Sequence, residues 1–321
     1  MKKHFLLLLI LFAGLQLRAQ QDHHYTQFMY NKLLINPGYA GAREVPSLTA
    51  IYRNQWIGFK GAPKSILASL NSPLFSKRQG VGLTLSNQTI GLQRDFFSSL
   101  AYSYDVISSQ KMSLRVGLSG SLRARGFDLA DAQPQPGQGP FSDPSIGPDR
   151  INDFFGNVGA GIYATYKATE DQGVYVGFSV PRIYTNVIGY NPSGNTPAKE
   201  ARHFYGMAGA IIPLSEDIDL MPAFLLKYVE NAPFDADINL NLNVRQKFTA
   251  GISYRLGGDG PGESVDLLAL WQASPQFAIG AAYDFTLSNI KDYTAGSIEV
   301  MVQYELRKRT KNTMSNPRFF M

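Results

Sequence analysis

The feature that most restricts this chain is a side-chain alternation of period two that recurs along most of its length. In "MSLRVGLSGSLRA", Met112, Leu114, Val116, Leu118 and Leu122 fall on one face, and Ser113, Arg115, Ser119, Ser121 and Arg123 on the other. In "DADINLNLNVR", Ala236, Ile238, Leu240, Leu242 and Val244 oppose Asp235, Asp237, Asn239, Asn241, Asn243 and Arg245. "SLAYSYDV" and "SIEVMVQYEL" behave likewise. Successive strand side chains point to opposite faces, so each segment reads as a strand with one apolar and one polar face. About fourteen such segments can be counted. They centre near Ile51, Ser69, Leu85, Tyr102, Leu118, Ile162, Gly177, Ala208, Phe224, Leu240, Ile252, Leu270, Ala281 and Val302. Most are about ten residues long, twice the usual globular strand and enough to cross a bilayer at a tilt. Pro213 and Pro222 interrupt the segments around Ala208 and Phe224, which implies an edge, an end or a bulge there.

Two all-β solutions share this pattern. A soluble sandwich turns its apolar face inward, whereas a barrel in lipid turns it outward. The connections separate them, because a membrane barrel with an even strand count has short periplasmic turns and longer external loops. After even-numbered segments the links are short: "FSKRQ", "SSQK", "ATEDQG", "SED" and "SPQ". After odd-numbered ones they are generally longer, including 126–157 and 184–201. Charged residues are 17% of the chain, below the roughly 25% of soluble domains. In hydrocarbon only a closed sheet or a helix satisfies the backbone amides, and no apolar run beyond the first residues reaches the ~18 of a spanning helix. The expected fold is therefore all-β: a transmembrane antiparallel up-and-down β-barrel of about fourteen strands.

The chain opens "MKKHFLLLLILFAGLQLRAQ", with basic Lys2 and Lys3, an apolar stretch from Phe5 to Gly14, and Ala19 before a cut. That layout is a secretory signal. The expected organisation is a signal peptide at 1–19 cleaved near Ala19, an N-terminal periplasmic or plug segment at 20–46, an outer-membrane barrel at 47–307, and a basic periplasmic tail at 308–321. With no cysteine, disulfides, thiolate metal sites, cysteine nucleophiles and a cysteine-linked lipid anchor are excluded. Removing Lys2, Lys3 and Arg18 from a formal charge of +5 leaves +2; removing Arg307, Lys308, Arg309, Lys311 and Arg318 as well leaves −3 for residues 20–306. The positive charge is a tail, and the basic body of a nucleic-acid binder is missing.

Enzymatic constellations are sparse. His23 and His24 are adjacent, so in a strand they diverge, and His203 stands alone at the start of a strand segment. No phosphate loop, G-x-S-x-G turn or H-E-x-x-H occurs. Asp128, Asp131, Asp143, Asp149 and Asp153 in the long loop lack the spacing of an EF-hand. A loop of this length more often covers the mouth or meets a partner, which makes Asp143, Asp149 and Phe154 candidate partner-binding residues. Lys308, Arg309, Lys311 and Arg318 are candidates on the periplasmic side, for anionic headgroups or a periplasmic partner. Arg115, Arg123, Asp105, Asp235, Asp237, Arg245, Asp284, Glu299 and Glu305 are expected inside the barrel, either lining a pore or pairing across it. Tyr102, Tyr104, Tyr283, Phe285 and Tyr304 are expected to face lipid or headgroups.

The passage "DHHYTQFMYNKLLINPGYAGAREVPSLTAIYRNQWIGFKGAPKS" resembles the N-terminal signature of the PorP/SprF family, outer-membrane proteins of the Bacteroidetes type IX secretion and gliding machinery. Its matching positions include Asn31, Asn36, Pro37, Tyr39, Gly41, Arg53, Gln55, Trp56 and Gly58. "GVYVGFSVPRIY" and the closing "NPRFF" also look like family features. The resemblance implies a non-enzymatic barrel, with no cofactor and no catalytic residue to carry over. It implies a role in export and surface anchoring of large adhesins with type B C-terminal sorting domains. The partners it implies are such an adhesin, periplasmic and outer-membrane secretion components, and outer-membrane lipid. A diffusion channel or hydrophobic-solute transporter is the alternative. Asn36-Pro37 with Gly38 and Gly41 is turn chemistry, because proline fixes φ and glycine permits positive φ. The motif is expected to fold a plug or to recognise a partner.

Overall fold

The computed structural model describes residues 25–43, 45–75, 77–128, 150–169, 171–188, 198–230, 232, 234–257 and 262–306. Its strands are β1 Ser47–Asn54, β2 Lys64–Pro73, β3 Gln79–Ile90, β4 Gln93–Ser108, β5 Met112–Asp128, β6 Arg150–Lys167, β7 Gly173–Arg182, β8 Val187–Ile188, β9 Ala198–Lys199, β10 His203–Pro213, β11 Ile218–Val229, β12 Asp235–Val244, β13 Phe248–Leu256, β14 Ser264–Gln272, β15 Phe277–Thr286 and β16 Ser297–Glu305. All but β8 and β9 form one closed barrel of fourteen antiparallel strands, each beside its neighbour in sequence, with β1 meeting β16 at the seam. β8 and β9 make a small ladder within the connection from β7 to β10. Every expected strand centre lies inside a barrel strand.

The apolar face points outward. Leu100, Leu118 and Leu122 are 62%, 64% and 67% exposed, while their strand neighbours Ala101, Arg115 and Ser121 are buried. Ile298, Val300, Val302 and Tyr304 on β16 are exposed, whereas Glu299, Gln303 and Glu305 between them are buried. Exposed greasy rows around a closed sheet are the surface of a membrane barrel, not of a sandwich. Tyr102, Tyr104, Phe285 and Tyr304 lie on that outer surface as expected, and Tyr283 is half-buried there.

The connections after β2, β4, β6, β10, β12 and β14 are all of three to five residues and lie at the end of the barrel where β1 starts and β16 stops. At the other end only the links after β3 and β11 are that short. The former is the periplasmic end by the loop-length rule. Three expectations are corrected. Strands β4, β5 and β6 run to 16, 17 and 18 residues, so 126–128 and 150–157 of the expected 126–157 loop are paired ladder, where alternation is not required. The β3–β4 link at the external end is only 91–92, because Gly91 adopts φ +56 and closes a tight hairpin. Arg245 does not face the lumen: it follows β12 in a turn at φ +52, is 73% exposed, and pairs with Asp217 at 3.4 Å.

Pro222 sits inside β11, between β10 and β12. Its β12 side pairs normally with Leu240. On the β10 side the register passes from Gly209↔Ala223 to Ile212↔Leu220, so the ladder is interrupted at the residue that has no N–H.

Candidate functional site in the barrel lumen

The lumen holds the chain's own N-terminal segment. Residues 25–43 make three single 3-10 turns, Phe28–Tyr30, Lys32–Leu34 and Pro37–Tyr39, and almost every residue in them is buried. The segment runs from the external half of the barrel, where Thr26 meets Glu299 and Asp284, to the periplasmic end, where Arg43 meets Glu305. Of the two possibilities for an irregular passage before the first strand, it takes the one inside the cylinder.

Three groups of wall contacts hold it. The first is a charge network near the external end. Cross-strand register places Arg53 opposite Glu299 and Asp266 opposite Asp284. Two facing carboxylates repel each other, and here two guanidinium groups lie among them: Arg53 pairs with Asp284 and Glu299, and Arg255 lies 3.8 Å from Asp284 and 4.0 Å from Asp266. Arg255 also donates to Asp237 at 2.7 Å, and Lys227 pairs with Asp237 and Asp235. The plug joins this network. Glu299 accepts from the backbone N–H of Thr26 (2.9 Å) and Gln27 (3.0 Å), and the Thr26 hydroxyl donates to Asp284 at 2.9 Å. A carboxylate that accepts two backbone amides and an arginine forms the stronger, charge-assisted class of bond.

The second group is a run of glycines on the lumen side of the wall. A Cβ on Gly117 would overlap the backbone of Pro37 and Gly38; one on Gly80 would overlap Ala40 and Gly41. Gly161 and Gly177 lie against the Asn36 side chain, Gly82 against Leu33 and Gly280 against Gln27. Glycine inside a strand marks a close approach by another group, and here the group is the plug. Gly41 itself has φ +64, a left-handed conformation that glycine adopts without strain.

The third group is short polar side chains on plug and wall. Asn36 caps its own turn by accepting from Gly38 N–H at 2.8 Å, and it donates to the Ile162 carbonyl at 2.8 Å. Ser179 donates to the Ile35 carbonyl, Ser69 to the Asn31 side chain, and Ser103 to the Ala40 carbonyl. Asn71 accepts from Gly41 N–H. Tyr39 packs edge-on to Tyr163 with centroids 5.2 Å apart, and the fully buried Lys32 ammonium lies 4.4 Å from the Tyr175 ring centroid. At the periplasmic exit Arg43 donates to Glu305 (3.1 Å), the Tyr30 carbonyl (3.0 Å) and the Tyr39 hydroxyl (3.1 Å).

A second buried charge cluster closes the outer half on the other side. Arg125 pairs with Asp95 at 2.9 Å, and Arg123 and Arg182 both reach Glu200 at 3.4 Å. Glu200 comes from the connection carrying β8 and β9, so that external loop sends a carboxylate into the barrel. Between plug and wall on this side lies a chamber lined by Phe28, Leu34, Ile35, Ile51, Phe97 and Leu225.

The expected motif residues divide in two. Asn31, Asn36, Pro37, Tyr39, Gly41 and Arg53 come together in the lumen, whereas Gln55, Trp56 and Gly58 lie in the external connection after β1. There Gln55 N–H donates to Pro63, Trp56 N–H donates to Ser297, and Trp56 and Gly58 have φ of 52 and 92. Of the charged residues expected inside, all but Arg245 face the lumen, and Asp105, Asp235, Asp237, Asp284, Glu299 and Glu305 are paired there. Phe154 is 80% exposed on β6. Asp143, Asp149, Lys308, Arg309, Lys311 and Arg318 lie outside the described residues, as do His23 and His24. Thr26, Arg43 and the wall glycines were not anticipated. Glycine recurring at lumen-side positions of alternating strands is the signal that identifies the latter.

Solved structures that resemble the chain include the toluene transporter TbuX of Ralstonia pickettii (TM-score 0.49, 11% identity, 88% of this chain and 93% of that one). A FadL homologue of Pseudomonas aeruginosa gives 0.49 and 12% over 85% and 93%, and Omp33 of Acinetobacter baumannii 0.43 and 8% over 82% and 98%. No curated protein matches the sequence. The family model described as type IX secretion system membrane protein PorP/SprF matches residues 17–304, which takes in the plug and the barrel to its last strand. This plugged, fourteen-stranded outer-membrane barrel belongs to the PorP/SprF family of type IX secretion system membrane proteins.

Proposed function

We propose that the protein is a non-enzymatic scaffold of type IX secretion, supporting export and surface anchoring of large adhesins with type B C-terminal sorting domains and contacting periplasmic components. The observation that supports this most is the plug. A segment bonded from Thr26 at one end to Arg43 at the other makes the barrel an anchored body rather than an open pore. Asp143, Asp149 and Phe154 belong to the external side, where the adhesin is held. Lys308, Arg309, Lys311 and Arg318 belong to the periplasmic side, where the machinery docks. Cleavage near Ala19 leaves 20–46 as the plug-bearing segment, 47–307 as the barrel and 308–321 as the tail; N-terminal sequencing of the purified protein checks the cut.

The test pairs deletion with conductance. Deletion should abolish surface display of the adhesin, and the purified barrel should show no steady current in a planar bilayer. A steady current together with unchanged display would sink the scaffold reading. The alternative, a hydrophobic-solute transporter, draws on the apolar chamber beside Phe28, Leu34 and Phe97; saturable binding of a fluorescent fatty acid, lost in Phe97→Asp, would favour it.

A further inference from the structure

The chamber between plug and wall differs in composition from much of the lumen, whose wall is rich in Ser, Thr, Asn and charge. Phe28, Leu34 and Ile35 face it from the plug, and Leu67, Phe97 and Leu225 from the wall. Its charged neighbours are engaged with acids. Arg123 and Arg182 reach Glu200, Arg123 also reaches Asp95 and lies over the Phe97 ring, and Lys227 pairs with Asp235 and Asp237. One polar group stands apart. Asn31 of the plug lines the chamber and is only 4% exposed. Its Oδ1 accepts from Ser69 Oγ at 2.8 Å, whereas its Nδ2 has no hydrogen-bond partner among the described residues. A buried donor without an acceptor is costly and uncommon in native interiors.

We propose that the chamber binds an uncharged single-chain lipid with one hydrogen-bond acceptor, of the class of a long-chain alkyl ester or ketone. Three observations select that class. The apolar lining suits a hydrocarbon chain, since ligand pockets combine apolar walls with a few placed polar groups. The arginines and the lysine already hold carboxylates of the wall and of the β7–β10 connection. An anionic headgroup would therefore compete with those acids or be buried without a counter-ion, which is strongly unfavourable. The Asn31 amide offers a single donor, and the carbonyl of an ester or ketone is the acceptor it lacks. Because the lining comes from plug and wall alike, a bound chain bridges the two, and a ligand of the plugged state stabilises that state by mass action. The ligand is a resident that helps to seat the plug, not a solute in transit. The site goes beyond the scaffold reading and does not depend on it.

The experiment uses the full-length protein in nanodiscs with a methyl palmitate analogue that carries a mid-chain diazirine, and maps the photolabelled peptides by mass spectrometry. Peptides from the lipid-facing wall label without saturation and serve as the internal control. Label on the plug and around Phe97 should be competed by methyl palmitate about tenfold better than by palmitate, whose charge is costly to bury. In Asn31→Leu the advantage of methyl palmitate over hexadecane as competitor should fall about fivefold, because the donor is gone. Leu34→Trp and Phe97→Trp, which fill the chamber from the plug and from the wall, should each lose the competed label. Unchanged heat-modifiable migration on gels confirms that the variants fold, and the wild-type transition should rise with methyl palmitate. No competed label on plug or lumen peptides, equal competition by palmitate, or full competed label in both Trp variants each overturns the proposal. Adhesin display is scored separately in the deletion strain, so a failure at the chamber is distinguishable from a failure of the scaffold reading.

Discussion

On the side of β1, β15 and β16 the plug meets carboxylates and guanidinium groups; on the side of β3, β5, β6 and β7 it meets glycines, two of which lie against its Asn36 amide. The charged side uses directional bonds, and those set which plug residue faces which strand. Thr26 and Gln27 answer to Glu299, Tyr30 to Gln303, and Arg43 to Glu305. The glycine side has mostly neutral bonds, Ser103 to Ala40, Ser179 to Ile35 and Asn36 to Ile162, and it also sets distance, since backbone lies against backbone at Gly117 and Gly80. Charge pairing is thus concentrated on one wall and backbone-to-backbone approach on the other, and the two together seat the segment.

The strongest way to break this division is on the glycine side. Gly117→Val with Gly161→Val puts side chains where Pro37, Gly38 and Asn36 now sit, and overpacking costs about 1–3 kcal/mol per site even where neighbours are side chains that can shift. Backbone does not shift as readily, so the plug should leave its seat. A steady bilayer current and new protease cleavage within 25–43 would register it; a silent bilayer with wild-type melting would show that the cradle is not required.

Next in size is Glu299→Ala on the charged side. It leaves Arg53 with Asp284 alone and strands two plug amides in the lumen, and removing one partner of a buried pair costs about 3–5 kcal/mol. The heat-modifiable transition should fall clearly, and less in Glu299→Gln, which keeps an acceptor. Smaller again is Asn36→Ala, which loses the neutral hydrogen bonds to Gly38, Ile162 and, at 3.4 Å, Phe178, worth about 1 kcal/mol each at most. Combining Glu299→Ala with Asn36→Ala sharpens the comparison, because independent walls give additive losses within about 0.5 kcal/mol. The least effect is expected from Phe154→Ser, outside both walls: stability within about 0.5 kcal/mol of wild type, with adhesin retention reduced if the external reading is right.

Much of the barrel was legible because lipid enforces alternation on every strand it touches. Where lipid ends, the signal ends. The outer parts of β5 and β6 around Phe154 and Phe155 carry no strict alternation, yet they pair, since ladder bonds alone suffice there. Arg245 continued the polar phase of β12 and was assigned to the lumen, but the strand stops at Val244 and the chain turns. In the site, Arg53, Asp284 and Glu299 were expected inside, and Asn36-Pro37-Gly38 was readable as a turn. That the turn would lie against Gly117 and Gly161 was not readable, because the contact joins positions about a hundred residues apart and leaves no local periodicity.

The bonds from Glu299 to Thr26 and Gln27 join residues more than 270 positions apart. They tie the final strand to a stretch made before any strand exists. A polypeptide cut short before Glu299 offers the backbone amides of Thr26 and Gln27 no carboxylate on that flank and leaves Arg53 with Asp284 alone. Completeness of synthesis is therefore written into the interior, and an unfinished copy lacks the acceptor that holds its own beginning.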